Sequence, residues 1–396
     1  MTSNPDNIIL IDEYIQRKPE SKLNDSKKVK IEGEIVRITV YKIPIKLMNY
    51  NIQNGRFKKE YASLIKKNGG SLNPLNPAHR KQIQNLLLTL GKENWESNSD
   101  TVKTYNDLAK EGQLEPAIST HDGFLLDGNR RMAVLELLHQ TKFDSKFEYI
   151  EVARIPGEIS NKDMYRIEAS ISLGMDSKVK YGPLNILLKV EEGLELEYSA
   201  SEISDMLYGD ITDEDILKMM DRLRLIRKYL MYHYKEDDDL ELVEGKHEHF
   251  IELQKIGDLM KNKSLFVKQQ IQHACFNAIK SGISSDRIRM VNRALNQDFE
   301  LETLLHISKM IPGESKEPSE EEDEIGDIDP IRTQFGNFED EVRLKSGGKS
   351  ISVLLTRIIN AFKVLKIDEI DSNDADTKQL SSDIFDWVKK LKTKYE

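Results

Sequence analysis

The chain has 396 residues, 38% of them hydrophobic and 32% charged, enough length for two or three domains and enough apolar content for a core in each. Its 58 Lys and Arg against 68 Asp and Glu leave a net charge of -10, which excludes an overall basic footprint for nucleic acid; contact with DNA must come from local patches. The one cysteine, Cys275, excludes an internal disulfide and a multi-thiolate metal site, and no apolar run approaches the length of a membrane span, so a cytoplasmic protein without membrane contact is expected.

Residues 1–29 read as a leader with one apolar patch, Ile8-Ile9-Leu10-Ile11, that forms a short strand or a helix pinned on the core, without the basic start of a signal peptide. Val36, Ile38 and Val40 then alternate with Arg37, Thr39 and Tyr41, the period of a half-buried strand, and Ile43-Pro44-Ile45 closes it. Asn76 before Pro77 is a helix start, followed by Ile83, Leu86, Leu87 and Leu90 at helical spacing and by Gly91. Val102, Tyr105, Leu108 and Ala109 mark a second helix, stopped by Gly112. Short strands over 114–118 and 123–126, a helix from Met132 to Leu138 and a strand over 149–155 complete a mixed α/β domain.

Beyond Pro156 every periodic segment is helical: 164–172, 184–192, 200–207, 216–229, 250–260, 265–280, 285–295 and 301–310. Residues 314–329 hold nine acidic residues and one lysine and read as a solvated linker, with helices at 350–364 and 377–391 after it. The fold class expected is α+β, divided as leader 1–29, α/β domain 30–157, helical region 158–232, helical domain 233–312, acidic linker 313–345 and helical C-terminal module 346–396.

Most of the functional information lies in Leu126-Asp127-Gly128-Asn129-Arg130-Arg131, where a strand turns into a helix. Gly128 allows a tight turn, and Asn129 or Asp127 can cap the helix. Two arginines then occupy a first turn that already carries partial positive charge, an arrangement costing roughly 0.3–1 kcal/mol per cation when the site is empty. A bound anion reverses that sign, with backbone N–H groups and both guanidinium groups converging on phosphate oxygens. The competing reading pairs one arginine with Asp127 or Glu168 and leaves the other at the surface.

The segment from Asn106 through Gly112 and Pro116 to Asp127-Gly128-Asn129-Arg130-Arg131-Met132-Ala133 resembles the ParB/sulfiredoxin-like superfamily, over roughly residues 30–230. The resemblance implies a ParB-like N-terminal domain. It implies a nucleoside triphosphate, CTP or ATP, with Mg²⁺, held by Arg56, Gly128, Asn129, Arg130 and Arg131. Arg56 lies in Gln53-Asn54-Gly55-Arg56, which is similar to an early Asn-Pro-Arg segment of the family. Asn129 stands where sulfiredoxins carry cysteine, which rules out their thiol chemistry. Glu168 begins the nearest match to the family's Glu-Asn-x-x-Arg, with Ala169 and Ser172 in place of its polar partners. If hydrolysis occurs, Glu168 or Asp127 is the group expected to position water or metal.

Ser199-Ala200-Ser201-Glu202 is a capping box, Tyr208-Gly209-Asp210 a turn and Thr212 a second cap, together a helix-turn-helix pattern where ParB-like proteins keep theirs. Lys218, Arg222, Arg224, Arg227 and Lys228 are its candidate DNA contacts, although Asp213, Glu214 and Asp215 open the same helix. A helix pair used only for packing is the alternative. Lys178 and Lys180 are further phosphate-contact candidates. No metal constellation is read: His247-Glu248-His249 lacks the four-residue spacing of a zinc helix. These readings predict a nucleotide-responsive DNA-binding protein of bacterial defence, modification or regulation, a homodimer whose C-terminal module contacts a protein partner. A ParB-like NTPase or nuclease and a non-catalytic adaptor or repressor are the alternatives.

Overall fold

The computed structural model describes residues 4–31, 34–52, 55–173, 182–206, 211–297, 301–312, 329–345, 359 and 375–395. The chain is α+β: a five-stranded sheet near the N-terminus, then helices. It separates into two compact units, residues 1–258 and 259–396.

In the first unit the stretch read as a leader is structured. Helix α1 (Pro5–Arg17) buries Ile11, and its N-cap Asn4 accepts from the Asn7 backbone. Strand β1 (Lys22–Ile31) pairs antiparallel with β2 (Glu34–Pro44). Four lysines along β1 masked its alternation in the sequence, and the same lysines discourage further pairing at this sheet edge. Strands β3 (Ala117–Ser119), β4 (Leu125–Asp127) and β5 (Tyr149–Arg154) complete the order β1-β2-β5-β3-β4, in which only the β3–β5 pair is parallel.

Both faces of the sheet are covered. On one, Ile43, Ala117, Leu125, Ile150 and Val152 pack with side chains of α1, α2 (Lys58–Lys67), α3 (Pro77–Thr89), α4 (Ser99–Glu111) and α5 (Asn129–Lys142). On the other, Ile38, Val40, Ile118, Leu126 and Ala153 pack with Ile167 of α6 (Asn161–Leu173). Adjacent residues such as Leu125 and Leu126 therefore serve opposite cores, as a two-residue period requires. The predicted punctuation is present: Asn76 caps α3 through its side chain, and Gly112 ends α4 at φ 76°. The unit continues with α7 (Pro183–Glu195), α8 (Ala200–Met206), α9 (Asp213–Tyr234) and α10 (His247–Leu259). Both capping boxes read from sequence form, Ser199 with Glu202 and Thr212 with Asp215. The turn at 207–210 lies outside the described residues.

The second unit contains α11 (Leu265–Lys280), α12 (Ser285–Asn296), α13 (Glu302–Ile307), α14 (Pro330–Lys345) and α15 (Ala375–Tyr395). Here the structure corrects the linker boundary. Residues 330–345, assigned to an acidic linker, form a helix that buries Ile331, Phe335, Phe338 and Val342. The acidic composition before Pro330 had concealed an apolar stripe at i, i+4, i+7 and i+11. Arg287 of α12 pairs with Glu339 of α14 at 2.8 Å. Cys275 is buried, and burial pushes its thiol up to about 12, so it is a packing residue. The helix expected at 350–364 lies, apart from Ile359, outside the described residues.

Because Phe338 is fully buried, Phe338→Ala should cost the second unit roughly 3–5 kcal/mol in urea unfolding. A loss under about 1 kcal/mol, the range of a surface position, would return 330–345 to the linker.

Candidate functional site

The Gly128 turn is built as the sequence required. Gly128 takes φ 95°, and a Cβ there would stand 2.7 Å from that of Ala117 on β3, so only glycine fits. No side chain caps the first turn of α5. The Asn129 side chain turns into the fold instead, its amide donating to the Leu125 carbonyl at 2.9 Å and its Oδ1 accepting the Asn51 backbone N–H at 2.9 Å. Asp127 lies half-buried at the end of β4, opposite Ile118.

The two arginines face different surroundings. Arg131 donates to the Glu115 carbonyl at 2.5 Å, on the loop that precedes β3. Arg130 is 9% exposed; its guanidinium lies 5.8 Å from the centre of the Phe57 ring and 3.5 Å from Asp100 Oδ2 at the start of α4. Sequence reasoning sent both side chains to one anion, whereas the structure brings only Arg130 to a cavity. That cavity is a cleft of about 150 Å³ between the α/β layer and the start of α7. Lys59, Glu60, Asp100, Asn185 and Glu244 supply its polar lining beside Arg130.

Beneath the cleft runs a buried polar chain. Asn51, whose N–H holds Asn129, donates its side-chain amide to Glu168 at 2.6 Å. The other oxygen of Glu168 accepts from Lys189 of α7 at 2.9 Å, and Lys189 also reaches Glu192 at 3.3 Å. Glu168 is 4% exposed and Lys189 fully buried, its ammonium 4.2 Å from the centre of the Tyr165 ring. Burial pushes the Glu168 carboxyl up from the usual carboxylate range, and Lys189 opposes that shift without cancelling it. The Gly55 backbone also hydrogen-bonds Glu168, so this carboxylate ties Asn51 and Gly55 to α6 and α7.

Helix α7 distributes the connection. Asn185 accepts the backbone N–H of Lys59 at 3.0 Å and donates to Glu60 at 3.1 Å, capping α2 from outside. Glu191 binds Arg227 of α9 through both guanidinium nitrogens, one at 2.9 Å. Lysine at 189 and asparagine at 185 had read in sequence as ordinary helix positions. Their spacing of four puts them on one face beside Leu188 and Glu192, a polar-and-apolar mixture that periodicity alone does not resolve.

The remaining candidates divide by exposure. On α9, Lys218 pairs with Glu214 at 2.8 Å and Arg224 with Asp221 at 2.8 Å, all exposed, while Lys228 is exposed. Arg222 is half-buried against Gln254 and His247 of α10, and Arg227 against Glu191 and Asp238. Arg56 has its backbone in the 3₁₀ turn Gly55–Phe57, but its side chain lies outside the described residues, as do Gln53, Asn54, Lys178 and Lys180. Among the described residues no group of three or more His, Cys, Asp or Glu could hold a metal ion, and no helix is long and apolar enough to cross a membrane. No protein-family model, curated protein or solved structure matches the chain.

Removing one partner of a buried ion pair leaves an uncompensated charge, so Lys189→Met should lower the stability of the full chain by roughly 3–5 kcal/mol. Glu168→Gln/Lys189→Met removes both charges and should recover part of that loss. Urea unfolding of the three proteins reads this directly; equal losses in single and double variants would deny the coupling.

Proposed function

We propose that the chain is a ParB-like, nucleotide-responsive protein, in which the phosphates of a nucleoside triphosphate enter the Arg130 cleft and set the position of the helices beyond the sheet. The observation that carries this reading is the placement of Arg130: a nearly buried guanidinium at an uncapped helix start, beside an aromatic ring, facing a cavity. Of the Gly128 turn and α5, Arg130 is the residue that lines the cleft. A ligand there touches the α/β layer on one side and residues 182–185 on the other. Its binding energy would be spent on the relation between them.

Binding is favoured over hydrolysis. Glu168, one of the two carboxylates expected to position water or metal, is engaged by Asn51 and Lys189 and is 4% exposed. Its role in this reading is to position the turn. Mg²⁺, where present, would arrive with the nucleotide. DNA is the proposed partner of α9, through Lys218, Arg224 and Lys228. Exposed surface pairs such as Lys218–Glu214 and Arg224–Asp221 contribute about 0.2–1 kcal/mol, so phosphates can replace those carboxylates. Arg222 and Arg227 hold α9 on its neighbours. The Arg227–Glu191 pair gives α7 a direct grip on α9, so a change at the cleft has a route to the DNA-facing helix.

A thermal-shift panel of CTP, ATP, GTP and UTP with Mg²⁺ tests the reading. A specific nucleotide at about 100 times its dissociation constant should stabilise by ~2.7 kcal/mol, a rise of roughly 5–10 °C for a unit of this size. Arg130→Gln should abolish the rise, while Arg131→Gln, whose guanidinium faces the Glu115 carbonyl, should keep most of it. No shift with any of the four nucleotides would refute the proposal.

A further inference from the structure

An acidic segment between α9 and α10 ends at the Arg130 cleft, where Glu244 is part of the lining. Residues 236–244, Glu-Asp-Asp-Asp-Leu-Glu-Leu-Val-Glu, lie along α2. Lys66 pairs with Glu236 at 2.5 Å and with Asp239 at 3.4 Å, Ser63 donates to Glu241 at 2.7 Å, and Lys59 pairs with Glu244. Positions 59, 63 and 66 fall on one face of α2, so the acidic strap follows a helical stripe. Leu240 and Val243, both buried, pin it down.

Lys59 differs from Lys66 in its surroundings. Its side chain is 10% exposed and lines the cleft with Arg130, whereas that of Lys66 is 56% exposed. Burial by itself would pull the Lys59 ammonium down; its hydrogen bond to Glu244 and the charges of Glu60 and Glu244 outweigh it and hold the group above its ordinary value. Lys59 therefore depends on a negative partner. Glu60 pairs with Lys59 through Oε1 at 3.6 Å and accepts from Asn185 through Oε2, so it is fixed in place. Glu244 is 66% exposed and is followed by Gly245 at φ 73°, with open space around it. Of the two carboxylates that neutralise Lys59, Glu244 is the exposed, loop-borne one.

We propose that Lys59 is a second anion-binding group of the Arg130 cleft, and that Glu244 is an internal stand-in for the ligand's phosphate, displaced when the ligand enters. The inference rests on the reading of the cleft given above and adds to it a residue and an autoinhibitory contact. A phosphate carries more charge than a carboxylate and can accept from Lys59 and Arg130 together, so it wins the exchange. Until then the strap keeps the site closed to weaker anions.

The test is a calorimetric titration of inorganic pyrophosphate and of CTP and ATP into the full-length protein and its Glu244→Gln, Lys59→Met, Arg130→Gln and Glu241→Gln variants. Glu244→Gln should tighten binding by about 3–10-fold, and Lys59→Met should weaken it by at least about tenfold, or roughly 1.4 kcal/mol. Glu241→Gln, which alters the strap at Ser63 outside the cleft, should leave affinity within about twofold, the scatter expected of a surface substitution. Binding by Glu244→Gln alone, with none by the wild type, is the extreme form of the same result. If the wild type binds in an Arg130-dependent manner and Glu244→Gln is no tighter, the strap proposal is overturned and the cleft reading stands. If neither wild type nor Glu244→Gln binds any of the three, the cleft reading falls and the strap proposal with it. Thermal unfolding of Lys59→Met separates lost binding from lost folding.

Discussion

The ammonium of Lys189 is fully buried, and that single fact constrains much of the first unit. A buried charge must be met by an opposite charge and by hydrogen bonds, or the group gives up its proton. Here Glu168 from α6 and Glu192 from its own helix meet it. Glu168 in turn collects Asn51, and through Asn51 the chain of contacts reaches Asn129 at the start of α5. A helix from the helical region and the tightest turn of the sheet layer are therefore fixed by one continuous set of polar contacts. Apolar packing holds each layer together; this chain sets their register.

The same helix serves three neighbours at once. Asn185 caps α2, Lys189 closes the buried chain and Glu191 holds α9. Residues at 185, 189 and 192 follow one face of α7, and 191 points to the next. In the proposed function, a ligand at the cleft acts on α7 and, through the Glu191–Arg227 pair, on α9. Any shift of α7 against α6 would leave a buried charge without its partner. Its cost is carried by a polar network rather than by a larger apolar core. A simple scaffold would lose little by replacing Glu168 and Lys189 with apolar residues of the same volume.

Much of the fold was legible because local rules agree with one another. The alternation of Val36 to Val40, the Asn76-Pro77 start, the glycine stop at 112 and both capping boxes each report a backbone requirement that tertiary packing does not overrule. The change from strands to helices after Pro156 was legible for the same reason. Strand β1 was not, because an edge strand tolerates lysine at inward positions: Lys27 sends its ammonium out to the Pro116 carbonyl. Helix α14 was hidden behind an acidic run whose composition dominated its window.

The site was legible in part. Strand, glycine and helix were placed correctly at 125–131, and the glycine requirement at 128 follows from Ala117 beneath it. The direction of a side chain is not a sequence property, however, and adjacent positions on a helix are 100° apart. Arg130 and Arg131 take different partners, and Asn129 turns inward. Lys59 and Asn185 were missed because their neighbours in space lie more than a hundred residues away in the chain, as with Lys59 and Glu244 or Asn185 and Glu60, and Lys189 because Glu168 lies on a different helix.

In the proposed function, the Gly128 turn, residues 55–60 and the first two turns of α7 respond together to a ligand in the Arg130 cleft. Amide hydrogen exchange of the full chain, with and without saturating Mg²⁺–nucleotide, measures this most directly, since exchange reports opening segment by segment. Slower exchange is expected in all three segments at once, with Lys189→Met uncoupling α7 from the other two. Protection confined to the Gly128 turn in the wild-type protein, with α7 unchanged, would contradict it.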